Sequence, residues 1–300
     1  MSASANGYGQ TYTSPPKKSF LQIAQKWIGK ILFLIVIAFM FFYTLFPFVW
    51  AIISSLSPDA QLGSTPTKYW PETLDWSHYK FVLDNGDFLR ALRNSAIVSV
   101  STVLIALTFG SFAAYALGRI KFRGRTFTLY LILSMTMFPQ IAILGSLFRM
   151  IRQFDLYDRL PALIITYLTF TLPFTVWVLT NFFRAMPGEL EEAALVDGAS
   201  PFRTFWEILL PLALPGLVTT GLLAFISAWN EFLFALTFVS NNEQRTVPVA
   251  IALLSGATEQ EIPWGPIMAA SVIVTVPVVI LVLIFQRRIV AGLTAGAVKG

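Results

Sequence analysis

Long apolar runs alternate with short polar connections along this chain. Six runs carry no charged residue: Ile31 to Ile53, Asn94 to Gly118, Thr126 to Phe148, Leu160 to Phe183, Ile208 to Asn230 and Ile262 to Gln286. Each exceeds the roughly 20 residues needed to cross a ~30 Å hydrocarbon layer at ~1.5 Å rise per residue. Within them polar and apolar positions do not alternate. The pattern is therefore that of helices, which satisfy their N–H and C=O groups internally, and not of barrel strands. It predicts an all-α integral membrane protein with six transmembrane helices. A shorter uncharged stretch, Thr246 to Thr258, is too short to span and predicts an external interfacial or cavity-lining helix.

Composition supports the same solvent. Hydrophobic residues make up 56% and charged residues 12%, with a mean hydropathy of +0.68, more apolar surface than a soluble chain of 300 residues needs for its core. The cations flank the spans. Lys17, Lys18, Lys26 and Lys30 precede the first; Arg119, Lys121, Arg123 and Arg125 lie between the second and third; Arg287, Arg288 and Lys299 follow the last. With an even number of spans these regions share one side, and positive connections tend to stay in the cytoplasm. Both termini are predicted to be cytoplasmic. Residues 58–93, 149–159 and 240–261 then lie outside, where acids such as Asp59, Asp84, Asp87, Asp155 and Asp158 match or outnumber the cations. The first run is too long for a secretory core and lacks a small-residue cleavage site after it, so it is predicted to remain in the mature protein. Residues 1–27 are predicted to be a disordered cytoplasmic tail, and 28–300 the membrane domain.

Several chemistries are excluded. The chain has no cysteine and one histidine, His78, predicted to be a solvated external residue, so no thiolate, disulfide or histidine-cluster metal site can form. No G-x-x-x-x-G-K-[ST] loop occurs, so this chain does not cradle ATP phosphates. The sequence pI near 9.5 reflects juxtamembrane anchors and not a basic face for nucleic acid. A secondary transporter, a membrane enzyme and a membrane scaffold stay open. The first would more often carry ionisable groups inside its spans, and only Glu231 approaches that.

One polar insert interrupts the apolar pattern, within residues 184–211. Pro187 stops the fourth helix, and Glu189, Glu191 and Glu192 open a short new one at its positive dipole end. Ala193, Ala194, Leu195 and Val196 follow. Gly198 ends that helix, and Ser200-Pro201 starts another bearing Phe202, Phe205, Trp206 and Leu209 at helical spacing. An interfacial helix is one reading. Three glutamates in four positions suit an anionic leaflet poorly, which favours a protein partner. The spacing is Glu192-Ala193-Ala194, three residues, Gly198, nine residues, Ile208, one residue, Leu210-Pro211.

That spacing resembles the "EAA" signature in the membrane subunits of ABC importers. The end of the chain, Gln286 to Gly300, resembles the tail of carbohydrate permeases of the maltose type, particularly the smaller, MalG-like subunit. The resemblance runs from about Ile31 to Gly300. It implies the six-helix ABC importer permease (MetI-like) fold in the bacterial cytoplasmic membrane. The partners it implies are a second, MalF-like permease, a MalK-like ATPase dimer that holds the ATP and magnesium, and an extracytoplasmic sugar-binding protein. No cofactor is implied on this chain. Glu191, Glu192, Ala193, Ala194, Asp197, Gly198, Pro201, Ile208, Leu210 and Pro211 would form the ATPase-coupling elbow. In the tail, 287–300, Leu293, Thr294, Gly296, Lys299 and Gly300 would contact the ATPase, though a Gly/Ala-rich basic end that binds nothing would read the same alone. The loop after the fifth span would place Ser255, Gly256, Glu259 and Ile262 at the binding protein. The implied function is import of maltose, maltodextrin or trehalose-like oligosaccharides, with a polyol or glycerol phosphate as alternative cargo.

For the solute path, polar groups inside spans are costly and usually face a cavity or another helix. Trp229, Asn230 and Glu231 combine an aromatic plane, an amide and a carboxylate, apt for sugar C–H faces and hydroxyls. Gln140 beside Pro139, and Asn181, are weaker candidates. An outer interfacial belt with Glu231 reaching water is the other reading. Pro47, Pro139, Pro173 and Pro277 predict local kinks.

Overall fold

The computed structural model describes residues 20–254 and 262–297. Two units divide after Trp50. The first holds most of helix α1 (Phe20–Ser55), whose side chains from residue 26 to 49 are exposed on every face, as suits a helix solvated by lipid. Its rings stack along its own length, Phe39 on Tyr43 and Phe46 on Trp50. The helix begins at Phe20, so the tail expected up to residue 27 gives up its last residues to α1.

The second unit contains α2 (Asp59–Leu62), α3 (Ser77–Asp84), α4 (Gly86–Arg119), α5 (Arg125–Thr136), α6 (Gln140–Gln153), α7 (Leu160–Ala185), α8 (Glu189–Val196), α9 (Pro201–Leu212), α10 (Leu214–Trp229), α11 (Leu233–Phe238), α12 (Val247–Leu254) and α13 (Trp264–Ala297). Of the six predicted spans, α1, α4, α7 and α13 are single helices. The other two are bent: α5 and α6 meet at 93°, and α9 and α10 at 73°. Pro139 causes the first bend. It supplies no N–H and disfavours the helical region for the residue before it, and α5 closes with the tight bonds Met137 N–H to Ser134 and Phe138 N–H to Met135. Pro211 and Pro215 flank the second bend at Ala213. Pro47, Pro173 and Pro277 lie inside unbroken helices.

Helix α4 starts ahead of its apolar run because the Asn85 carboxamide oxygen accepts from the N–H groups of Asp87 (2.9 Å) and Phe88 (3.3 Å). It packs most extensively against α7. Ala106, Gly110, Ala114 and Gly118 recur every fourth residue on one face of α4, and all four are buried. A Cβ on Gly110 would sit 2.6 Å from Thr175 Cγ2, and one on Gly118 3.0 Å from Phe183 Cβ, so only glycine lets the backbones come this close. The facing polar residues of α7 need no outside partner. Thr166, Thr171, Thr175 and Thr180 are buried and donate to the carbonyls of Ala162, Tyr167, Thr171 and Val176 at 2.6–2.8 Å.

Apolar clusters close both ends of this pair. At one end Val98, Leu163, Tyr167, Phe234 and Phe238 join α4 and α7 to α11, while at the other Ala114, Leu179, Phe183, Phe205 and Leu209 join them to α9. The short helix expected after residue 246 is present as α12, with Val247 and Val249 buried. His78 corrects the expectation of a solvated residue: it is buried, its Nε2 lies 3.0 Å from the Ser57 carbonyl oxygen, and Gly265 of α13 packs directly over its ring.

Candidate functional site

The polar insert folds into an elbow beneath the Arg119 end of α4. Helix α7 stops where Met186 turns extended ahead of Pro187, and Gly188 caps α8. The first turn of α8 holds Glu189, Glu191 and Glu192, carboxylates at the positive end of the helix. Its last turn closes by paired reverse bonds, Gly198 N–H to Leu195 (3.1 Å) and Ala199 N–H to Ala194 (2.9 Å), with Gly198 at φ +75°. That closure requires a residue content with a left-handed backbone, which explains why glycine follows the Glu-Ala-Ala triplet after three intervening residues. Ser200 then caps α9 through Oγ to Arg203 N–H (3.3 Å), with Pro201 at the first helical position.

The elbow is held to the bundle at two points. Phe205 is buried at the start of a π-turn, Phe205–Leu209, with its ring 5.0 Å from Tyr115, 5.1 Å from Phe112 and 6.1 Å from Phe183. The second point is Arg119. Its Nε and Nη2 reach Glu191 Oε2 at 2.8 and 2.6 Å, and its remaining N–H groups meet the carbonyls of Met186 (2.9 Å), Pro187 (3.3 Å) and Phe183 (3.4 Å). One guanidinium thus ties the end of α4 to the end of α7 and to the first turn of α8. Sequence reading took Arg119 only as a flanking cation and did not single out Phe205 as an anchor.

Exposure separates the roles of the elbow residues. Ala194 faces inward and Glu191 is engaged by Arg119, whereas Glu192, Ala193 and Asp197 face outward. Leu195 and Val196 are 71% and 87% exposed, and Phe202 and Trp206 also project from the elbow. Ile208 and Leu210 are half-buried, and Pro211 is exposed at the approach to the bend. The result is an outer surface that is apolar at Ala193, Leu195, Val196, Phe202 and Trp206 and acidic at Glu192 and Asp197, on a turn mounted through Arg119 and Phe205.

The proposed path residues do not form one lining. Trp229 is buried and stacked on Phe225 at 5.4 Å, and among the described residues its indole N–H has no partner. Glu231, which sequence reading offered either to the solute or to bulk water, is buried, and its carboxylate accepts from the N–H groups of Phe234 (2.7 Å) and Ala235 (3.1 Å), capping α11. Asn230 is exposed and donates to the Ile226 carbonyl at 2.8 Å; Gln140 is exposed at the α5–α6 bend. A cavity of about 490 Å³ lies instead between α4, α9, α10 and α13, walled by Leu107, Phe112, Trp206, Leu217, Phe225 and Phe285. It is apolar, and none of the four candidates lines it. Leu293, Thr294 and Gly296 fall within the backbone of α13, which continues to Ala297. Ile262 is exposed. Ser255, Gly256, Glu259, Lys299 and Gly300 lie outside the described residues.

The chain is similar to known proteins in sequence and in fold. Residues 106–294 match the family described as "Binding-protein-dependent transport system inner membrane component". The chain is 44% identical over 275 residues to the trehalose/maltose transport system permease protein MalG of Thermococcus litoralis, covering 91% of this chain and 98% of that one. It is 42% identical over 258 residues to the trehalose transport system permease protein SugB of Mycobacterium tuberculosis, with 86% and 93% covered. A 37% identity over 288 residues, 96% and 98% covered, relates it to the sulfoquinovosyl glycerol transport system permease protein SmoH of Agrobacterium fabrum. Among solved structures, a chain of a bacterial ABC transporter involved in import of the acidic polysaccharide alginate shares the fold at TM-score 0.76 and 24% identity, over 91% of this chain and 99% of that one.

Proposed function

From the premise that this chain belongs to the binding-protein-dependent transport system inner membrane components, we propose that it forms half of the translocation path of an ATP-driven importer of trehalose- or maltose-like oligosaccharides. It is a multi-pass transport subunit of the inner membrane and not a hydrolase. Permeases of this kind work with a second permease, an ATPase and a periplasmic binding protein. In our reading both termini and the elbow are cytoplasmic, ATP and magnesium sit on the ATPase, and this chain binds no cofactor.

The observation that carries the reading is the elbow. A two-turn helix, closed by Gly198 and fixed by Arg119 and Phe205, presents Glu192, Ala193, Leu195 and Val196 outward. An apolar patch on so short a polar turn fits a groove on another protein better than water. Closure of the ATPase dimer would carry α8 as a lever, and its mounting on α4 and α7 would pass the movement to the spans. The two membrane halves then rock so that the central cavity faces outward, and release of ADP and phosphate reverses this. The tail beyond residue 287 would lie against the ATPase, and the loop after α12 against the binding protein. The sugar assignment rests on the relatives named for trehalose and maltose transport.

The test is reconstitution with the ATPase and binding protein, measuring ATP hydrolysis and uptake across a sugar panel. The native chain has no cysteine, so Val196→Cys introduces a single reporter thiol. In cells it should resist a membrane-impermeant thiol reagent and cross-link to the ATPase. Labelling from outside would end the coupling assignment. A panel that stimulates hydrolysis only with polyols or glycerol phosphate would replace the sugar with that alternative.

A further inference from the structure

We propose that a basic cavity at the Arg119 end of the bundle binds the phosphate headgroup of an anionic phospholipid. The cavity, about 360 Å³, opens between the α4–α5 connection and the last turn of α7, and Lys121, Phe122, Arg125, Thr126, Phe127 and Arg184 contribute to its wall. Five cations crowd this corner: Arg119, Lys121, Arg123, Arg125 and Arg184. Arg119 is neutralised by Glu191. Among the described residues none of the other four is in an ion pair, and the stretch from residue 120 to 154 contains no acidic residue.

The two arginines of the cavity are already oriented. Arg125 donates one Nη2 N–H to the Gly118 carbonyl (2.9 Å) and Arg184 one to the Leu117 carbonyl (3.3 Å), so both guanidinium groups are tethered to the end of α4. A guanidinium has five N–H donors, and a tethered one retains several for phosphate oxygens at little further entropic cost. The cavity therefore holds concentrated positive charge that no acidic residue pairs with among the described residues.

Position and surroundings select a lipid over a soluble anion. The apolar spans of α4 and α7 end at Arg119 and Ala185, so a cavity beside both ends lies at the depth of the headgroups. From it Phe127, Tyr130 and Leu131 run along α5 at positions i, i+3 and i+4, and are 72%, 62% and 48% exposed. A phosphate in the cavity would leave its acyl chains along that stripe. Clustered Lys and Arg side chains between helices at the cytoplasmic surface recognise anionic headgroups by this combination. The proposal does not depend on the elbow docking an ATPase.

The test uses the permease in its purified importer complex, titrated with phosphatidylglycerol, phosphatidylcholine or inorganic phosphate and followed by native mass spectrometry. Phosphatidylglycerol should bind at least tenfold more tightly than phosphatidylcholine. Each cavity cation contributes about a fivefold factor, from ~1 kcal/mol per Lys or Arg at an anionic surface. Lys121→Gln should therefore weaken phosphatidylglycerol about fivefold, and Lys121→Gln with Arg184→Gln about 25-fold on the same constant. Arg123→Gln, outside the cavity wall, should change it less than twofold. Lys121 is exposed and makes no hydrogen bond among the described residues, so that variant keeps the fold in place. Equal binding of the two lipids overturns the proposal. So does an equal loss in Arg123→Gln, which would mean a diffuse field, or displacement of the lipid by millimolar phosphate, which would mean a soluble-anion site. Absence of phosphatidylglycerol binding in the complete complex, with binding restored when the ATPase subunits are stripped away, would assign the cavity to a protein partner instead.

Discussion

Removing Arg119 should separate ATP hydrolysis from sugar movement. The Arg119 head group is 11% exposed and the Glu191 carboxylate side 30%, so water screens the pair only in part. Two N–H groups share one carboxylate oxygen, and hydrogen bonds to charged partners contribute roughly 1.5–3 kcal/mol net. Partial exposure argues for about 2 kcal/mol for this pair. The carbonyl contacts add about 1 kcal/mol, most of it from the 2.9 Å bond to Met186, since the other two are long. Arg119→Met therefore loosens α8 by about 3 kcal/mol, close to a hundredfold in the ratio of seated to released elbow at ~1.4 kcal/mol per decade. Glu191→Gln keeps a neutral acceptor and should cost about 1–2 kcal/mol.

Because Phe205 still anchors α9, membrane insertion and assembly should survive in both variants. The assay is sugar taken up per ATP hydrolysed in proteoliposomes, with thermal stability measured beside it. Arg119→Met should lower that ratio about tenfold or more and Glu191→Gln less, on the free energies above. Exchanging the pair, Arg119→Glu with Glu191→Arg, should not rescue coupling, because a carboxylate at 119 would face three carbonyl oxygens. A wild-type ratio in Arg119→Met, with only the melting temperature lowered, would refute the strut and leave Arg119 as a packing residue.

Other sites give separate tests. Gly198→Ala places a Cβ at φ +75°, at a cost of about 1–2 kcal/mol, and should reduce uptake more than Gly198→Asn, which tolerates that region better; equal uptake in the two would contradict the closure geometry. Glu192→Lys, on the exposed face of α8, should leave the melting temperature unchanged and abolish uptake, so normal uptake would argue against a docked elbow. Gly118→Leu drives a side chain into Phe183 and the Thr180 carbonyl and should destabilise the α4–α7 pair by about 1–3 kcal/mol or more, read as a lowered melting temperature in detergent. Glu231→Ala removes the cap of α11 and should cost about 1 kcal/mol of stability with little change in sugar affinity; a large rise in the uptake KM without loss of stability would return Glu231 to the path.

What the sequence disclosed depended on how local the physics was. The spans follow from runs of apolar residues, and the elbow from neighbours a few positions apart: proline stopping α7, three glutamates at a helix start, glycine at a left-handed closure, serine and proline opening α9. Bends were harder to read. Pro139 breaks a span by 93° while Pro173 sits within an unbroken α7, because packing of α7 against α4 on one side and α5 and α10 on others overrides what one missing N–H would do alone. Glu231 shows the reverse case: a carboxylate beside an aromatic residue and an amide resembles a sugar-binding group, yet its oxygens are occupied by amides three and four residues further on. The Arg119–Glu191 contact spans 72 positions, and His78 is buried by a glycine of α13. Such pairings depend on how helices stack, which no local periodicity encodes. That same distance makes Arg119 a suitable transmitter, since a contact between neighbours in one helix moves with that helix, whereas this one obliges two spans and the elbow to move together.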